Sequence, residues 1–289
     1  MVARYEEGTS IDSVLSPRPF LHPVETLAGV RVTDSHPTDH LHHFGIGVAL
    51  PDVNGTSYWG GRTYVQDVGS IMLENQGMQR RDELTVEGDA LVERLTWIDE
   101  REVAQLSEVR VLTGRPARVG ERDAWTLGWR TTLAANFGAL TFGSPATNGR
   151  EGAGYGGLFW RFPRWDASVI TRDGEGEAAA HGSTSPWLAV VDAGRHVTVL
   201  LAQPAGRPAL PWFARVGEYL GIGPAVAWNE LLTVPEGGTL ELGLDALLLD
   251  RAVTDPAELE RLAERLGPNA NAVVEGLESG LLANPHGLA

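Results

Sequence analysis

The sequence predicts an all-β protein, a large antiparallel β-sandwich with a short C-terminal helix. Three observations predict it. Short apolar or alternating runs recur along the chain, separated by turn residues. Glycine is abundant, at 35 residues, and proline moderate, at 17, which supplies those turns. No helical pattern is interleaved with the runs, so a sandwich fits and a βαβ fold does not. The length of 289 residues suits one large β domain or two ordinary ones. We take residues 1–253 as a single sandwich domain and 254–289 as a helical tail packed on it.

The run "LTVEGDALVERLTWID" holds two strands split at Gly88-Asp89, a hairpin signal. "VAQLSEVRVLTG" follows with alternating apolar positions, and "AWTLGWRTTLAANFGALTFG", "HVTVLLAQ" and "GTLELGLDALLL" continue the pattern. "TDPAELERLAERLG" is a helix: Thr254 and Asp255 cap it, Pro256 fits its first turn, and Leu259, Leu262 and Leu266 share one face. Gly267 closes it, and a second, weaker helix is expected in the remainder. "GAGYGG" fits G-x-G-x-x-G at Gly152, Gly154 and Gly157, but a loop precedes it and strand formers follow. It reads as a glycine-rich loop entering a strand, where backbone approaches something closely, and not as a dinucleotide fingerprint.

Composition narrows the chemistry. There is no cysteine, which excludes thiol nucleophiles, thiolate metal sites and disulfides. There is no lysine, and all 23 basic residues are arginine, which excludes Schiff bases and a P-loop. The net charge of −15 and scattered arginines argue against nucleic acid and anionic membrane as partners. No run approaches the roughly 18 apolar residues of a membrane span. "MVARYEEGTSIDS" has no apolar h-region, so a cytoplasmic location is expected.

What remains for chemistry concentrates in "DSHPTDHLHHFGIG". Four of the eight histidines, His36, His40, His42 and His43, lie there with Asp34 and Asp39. "HLHHFGIGVAL" reads as a strand, because Gly45 and Gly47 oppose a helix and Phe44, Ile46 and Val48 alternate. On a strand His40 and His42 point to one side, with Cα atoms about 6.6 Å apart at roughly 3.3 Å per residue. Such a pair can converge on one metal or set one acid/base group beside another. Asp39 and His43 then face the other side, and His36, before Pro37, is a surface turn residue. Glu74, Glu151 and Asp39 are the candidates for further ligands.

Two more clusters stand out. "DVNGTSYWGGRTY" carries Asn54, Tyr58, Trp59, Arg62 and Tyr64 after an Asn54-Gly55 turn, which suits a polar pocket with flat apolar walls for sugar rings. A structural turn beside a core Trp is the plainer account of it. "NGREGAGYGGLFWR" gathers Arg150, Glu151, Tyr155 and Arg161 around glycines. Arg can clamp a carboxylate or keto oxygen, Glu can move a proton and Tyr can donate to an oxyanion. An Arg–Glu pair tying down the loop is the rival. His181 and His196 lack local partners and read as non-functional.

"RPFLHPVETLAGVRVTDSHPTDHLHHFGIGVALPDVNGTSYWGGRTYV" and "FGSPATNGREGAGYGGLFWR" resemble the two hallmarks of the bacterial family labelled "methane oxygenase PmoA-like", over roughly residues 16–251. The resemblance implies a galactose-mutarotase-like supersandwich, often encoded beside sugar dehydrogenases. It does not imply the membrane subunit behind that label, since this chain has no span. The matching motif positions are His40, His42, His43, Asn54, Trp59, Tyr64, Arg150, Glu151, Tyr155 and Arg161.

Together these features lead us to expect a carbohydrate-active enzyme that cleaves a sugar or oxidised (3-keto) glycoside by acid-base β-elimination. His40, His42, His43, Glu151 and Tyr155 are the expected catalytic groups. Asn54, Trp59, Tyr64, Arg150 and Arg161 are expected to bind substrate. His40 and His42 are the expected ligands if a divalent Mn, Zn or Fe assists. The alternatives are an aldose epimerase-like enzyme and a non-catalytic sugar-binding partner of a sugar dehydrogenase. Homo-oligomerisation or association with such a dehydrogenase completes the expectation.

Overall fold

The structure, a computed structural model, describes residues 1–266 and 282–283. Among them, strands form two large and two small sheets, almost wholly antiparallel. The larger is nine-stranded: Gly174–Glu175, Ser168–Thr171, Trp187–Asp192, Val197–Ala202, Thr239–Leu249, Arg122–Ala134, Ala104–Val119, Ala90–Ile98 and Met78–Glu87, from edge to edge. The second is seven-stranded: Trp212–Arg215, Gly221–Pro224, Gly157–Arg161, Ile46–Ala49, Phe20–Val24, Ala3–Glu6 and Leu282–Ala283. The expected all-β sandwich with a short C-terminal helix is what the chain forms.

One cluster of buried side chains runs between the large sheets. Leu21, Ile46, Val48, Leu158 and Trp160 meet Leu95, Trp97, Trp129, Leu201 and Leu248 there. Alternation positions them: in Arg122–Ala134 the residues Trp125, Leu127, Trp129, Thr131 and Leu133 are buried, while Thr126, Gly128, Arg130 and Thr132 between them are partly exposed. Six tryptophans, Trp97, Trp125, Trp129, Trp160, Trp187 and Trp212, are fully buried, so most of the nine are core. The Gly88-Asp89 hairpin forms as expected, joining Met78–Glu87 to Ala90–Ile98.

The inner face also holds charge. Glu93, Glu108 and Arg110 point inward from adjacent strands and are at most 1 % exposed. Arg110 donates to both carboxylate oxygens of Glu108, to the Tyr5 hydroxyl and to Gln79. Glu93 accepts from Tyr5 and from Arg81, and Glu108 also accepts from the Trp97 indole and Thr131. Tyr5 belongs to the seven-stranded sheet and the others to the nine-stranded one, so the network fastens one sheet to the other.

The outer face of the nine-stranded sheet is covered at one end by the helix Pro256–Ala263. Asp255 caps it by accepting from the Ala257 N–H, and Leu259 and Leu262 pack on Trp187, Leu200 and Leu247. Gly267 and the expected second helix lie outside the described residues. No helix among the described residues is long and apolar enough to cross a membrane.

Candidate functional site

The histidine motif is not a strand. The regular strand starts only at Ile46, and residues 36–43 double back as a closed loop. His40 N–H donates to the Pro37 carbonyl, His43 N–H to the His40 carbonyl, and His36 N–H to the His43 carbonyl. A bridge between Ser35 and Phe44 shuts the loop's base. Asp, Ser and Pro favour such reversals, and here they override the alternation of the histidines. Gly45 is indispensable to the exit: its φ is +31°, and a Cβ there would sit 2.0 Å from the Leu21 carbonyl oxygen.

The reversal brings three imidazoles together instead of sending His43 to the far side. His40 stacks on His43 with ring centroids 4.6 Å apart, and His42 meets His43 at 4.7 Å and His40 at 5.8 Å. His36 stays at the surface, as expected, with its ring edge on Phe44. Arg18 reaches under the loop and donates to the His42 carbonyl at 2.7 Å. Gly61 makes room for the His42 ring, since a Cβ there would come within 2.9 Å of Nδ1.

Arg161 joins this loop to the strand Gly157–Arg161. Its Nη2 donates to both oxygens of Asp39, and its Nη1 lies 3.4 Å from His43 Nδ1. Its Nε is buried and has no acceptor among the described residues. His40 Nδ1 lies 3.2 Å from Asp39 Oδ2, in a geometry short of a hydrogen bond. Tyr219 closes the cluster: its ring lies 4.6 Å from His40 and 5.1 Å from His43, with the Arg161 guanidinium 4.8 Å over it.

Charge and burial set the protonation states. Burial, reinforced by Arg18, His40 and Arg161, pushes the His42 imidazole down to about 3. Burial, with the neighbouring histidines and both arginines, holds His43 well below its ordinary value. Both rings are neutral at pH 7. Burial works against ionisation of Asp39, but hydrogen bonding to Arg161 and the nearby His40 outweigh it and lower its pKa.

Trp59 links the histidines to the second and third clusters. Its ring lies 5.6 Å from His43 and 4.6 Å from Tyr155. On the Tyr155 side lies a small cleft, with room for about one water, lined by Trp59, Arg62, Tyr64, Ser144, Asn148 and Tyr155 among others. Burial raises the Tyr155 hydroxyl to about 12, with Arg150 pulling the other way. The glycine loop enters the strand as expected, with tight approaches: a Cβ at Gly154 would lie 2.3 Å from the Trp228 carbonyl oxygen.

Three expected residues sit elsewhere or are engaged otherwise. Asn54 holds a structural turn: its amide donates to the Ala139 carbonyl and its oxygen accepts from the Thr141 N–H. Arg150 and Glu151 are exposed, and no ion pair joins them among the described residues. No hydrogen bond or ion pair connects Glu74 or Glu151 to the histidine loop there either. His181 is better connected than its sequence surroundings predict, with Nε2 2.9 Å from the Gly152 carbonyl oxygen. Arg18, Tyr219 and Phe159, whose ring lies 5.0 Å from His43, belong to the site and carry no sequence signal.

A metal fits poorly. Among the described residues, no group of three or more His, Asp or Glu side chains is placed to hold one. The stacked His40 and His43 planes do not converge, and the Asp39 carboxylate is taken by Arg161.

The chain belongs to the family described as "Family of unknown function (DUF6807)", whose model matches residues 1–264. That description carries neither a methane-oxygenase nor a mutarotase name. No curated protein matches. Among solved structures, the Slr1438 protein from Synechocystis sp. PCC 6803 is similar at 11% identity with a TM-score of 0.40, over 81% of this chain and 87% of that one.

Proposed function

We propose that this member of the DUF6807 family is a carbohydrate-active enzyme that cleaves oxidised (3-keto) glycosides by β-elimination. One observation carries the reading: a buried guanidinium with an unused Nε stands beside three imidazoles, two of them held neutral, at an aromatic wall. A cation with a spare donor, already desolvated, suits an oxygen that becomes negative during reaction. The resemblance to galactose-mutarotase-like sandwiches encoded near sugar dehydrogenases points to the same substrate class.

A keto group at C3 acidifies the C2–H. His40, the partly exposed imidazole beside Asp39, takes that proton. The electron pair forms the C2–C3 enolate, and its oxygen is stabilised by Arg161. When the enolate collapses, a C1–C2 double bond forms, the C1–O bond breaks, and the leaving oxygen takes a proton from the Tyr155 hydroxyl. His42 serves as a neutral hydrogen-bonding partner for a ring hydroxyl. His43 positions Arg161. Glu151 and Asn54 have no role, and no step runs through a metal.

A purified sample given a panel of 3-keto glycosides should release the aglycone and an unsaturated keto sugar. His40→Ala should lower turnover by about 10² to 10⁴-fold, the usual worth of a positioned base. Full activity in His40→Ala and Arg161→Met would end the assignment. Aldose epimerisation is the second reading, favoured by the closeness of His40 to Asp39. Polarimetry decides it: mutarotation no faster than in buffer removes it.

A further inference from the structure

The proposed reaction leaves out His181, a half-buried imidazole beside the glycine loop. The strand Trp212–Arg215 is an edge of the seven-stranded sheet, and its outward backbone groups need partners. Residues 177–183 supply them. Gly182 N–H donates to the Trp212 carbonyl, Trp212 N–H to the Ser183 carbonyl, and Val216 N–H to the Glu177 carboxylate. Between them, Ala214 N–H donates to Nδ1 of His181 at 3.3 Å, so a ring nitrogen takes the place of a carbonyl. These contacts fix the ring's protonation. A backbone N–H and an arginine only donate. Both face Nδ1, since Arg215 Nη1 lies 3.1 Å from it, so Nδ1 carries no proton. Nε2 therefore carries it and donates at 2.9 Å to the Gly152 carbonyl, which also accepts from Arg215 Nη2. Gly152 lies three residues before Tyr155 on the glycine loop. The Tyr155 ring in turn packs on Phe213, next to Ala214, with centroids 5.4 Å apart. His181 thus ties the loop that carries Tyr155 to the strand on which Tyr155 rests.

We infer that His181 is a positioning residue for Tyr155: as a neutral imidazole it latches the glycine loop onto the sheet edge, and as an imidazolium it releases it. The positioning role rests on the proposed use of Tyr155 as the acid; the latch itself does not. Protonation puts a donor on Nδ1, where it faces two other donors. It also sets a full charge on a ring whose two nitrogens both lie within 3.3 Å of Arg215 Nη1. Glu177, 3.5 Å from the same Nη1, offsets part of that charge. The other charged groups on the surrounding segments, Arg150, Glu151, Glu218 and Glu230, are exposed. Burial and Arg215 accordingly hold the imidazole below its ordinary pKa, against the Gly152 carbonyl and Glu177. The latch is therefore closed at neutral pH and opens in acid, below about pH 6.5.

Nitrogen-15 NMR of histidine-labelled protein tests the ring directly. At neutral pH His181 should be uncharged, with its proton on Nε2. Hydrogen exchange over residues 149–156, corrected for its intrinsic pH dependence, tests the loop. Protection there should fall about fivefold between about pH 7.5 and 5, the worth of one net hydrogen bond. In His181→Gln the amide can donate to Gly152 and accept from Ala214 without titrating. That variant should keep its protection in acid, and it carries His42 and His43 unchanged as the control. His181→Phe should be unlatched at both pH values. A proton on Nδ1 at neutral pH overturns the latch, as does an acid loss of protection equally large in His181→Gln. Turnover of 3-keto glycosides tests the positioning. A misplaced acid slows a poor leaving group and spares a good one. His181→Phe should therefore lower kcat about tenfold or more for a methyl glycoside, and hardly at all for a 4-nitrophenyl glycoside, with KM unchanged. His181→Gln should restore the parent's kcat. An equal loss on both substrates overturns the positioning role. If the ring and exchange results appear while no keto glycoside is turned over, the latch stands and the role assigned to Tyr155 falls.

Discussion

Two polar clusters in this molecule are built on opposite plans. Between the sheets, Arg110, Glu108, Glu93 and Tyr5 are buried together, and nearly every donor meets an acceptor. At the histidine loop, Arg161 is just as charged and nearly as buried and pairs with Asp39, yet its Nε is left without a partner and neutral rings lie around it. The first arrangement spends nearly every hydrogen bond on the fold, the Nη2 of Arg81 excepted. The second keeps some in reserve. A buried charge is tolerated when it is compensated, so a spare donor among neutral rings is where a ligand is expected.

The largest effect should come from breaking the compensated cluster. Arg110→Met leaves the buried Glu108 without its main cation and Glu93 with Arg81 alone, and should cost about 3–5 kcal/mol in urea unfolding. A loss under about 1 kcal/mol would mean that the two clusters do not differ as described. The histidine loop answers to acid instead. His42 and His43 have folded-state values below the unfolded value of about 6.5, so the unfolded chain takes up protons that the folded one refuses. Stability from this source is complete above about pH 6.5. It declines as pH falls towards 3, the value for His42, by about 2 kcal/mol at pH 5 for that ring, and His43 adds a loss of the same sign. The His42→Asn/His43→Asn variant should show a flatter loss between pH 7 and 5, and an identical slope would refute neutral burial.

A smaller effect tests the loop's frame. Gly61→Ala forces a left-handed conformation, φ +74°, on a residue with a Cβ and pushes that Cβ against His42. It should cost about 1–2 kcal/mol and shift the His42 ring resonances in NMR spectra. His36→Gln, at the exposed end of the same motif, should stay within about 0.5 kcal/mol of the parent in a thermal melt. Were it to behave like Gly61→Ala, the separation of His36 from the other three would fail.

Much of the fold was legible because its signals are local. The Gly88-Asp89 hairpin needs two residues, and the Pro256–Ala263 helix announces itself through its cap and its leucine spacing. Alternation in "SEVRV" marks a strand but does not say which face turns inward. Val109 and Val111 suggest the apolar face, while Glu108 and Arg110 are the buried pair, because they neutralise each other along the strand and Tyr5 and Gln79 from other strands complete their hydrogen bonds. The histidine loop failed as a strand for a similar reason. Its closure rests on the Ser35–Phe44 bridge, on Arg18 and on the fit of Gly45 against Leu21, none of which a spacing rule detects. Residue type singled out His40, His42, His43 and Arg161 as candidates, but that they meet in one cluster comes from the fold. Tyr219 is single, unpatterned and nearly 180 residues from His40, and only the fold brings it in.

The glycine frame has a consequence for laboratory evolution. Gly45 and Gly61, together with Gly60, whose Cβ would lie 2.3 Å from the Leu15 carbonyl oxygen, fix the path of the backbone around the histidines. Thr38 and Leu41, on the same loop, are exposed. A library that randomises those two positions and leaves the three glycines untouched varies the mouth of the site on a rigid support. Specificity can then drift over many substitutions while the inter-sheet ions keep the scaffold folded.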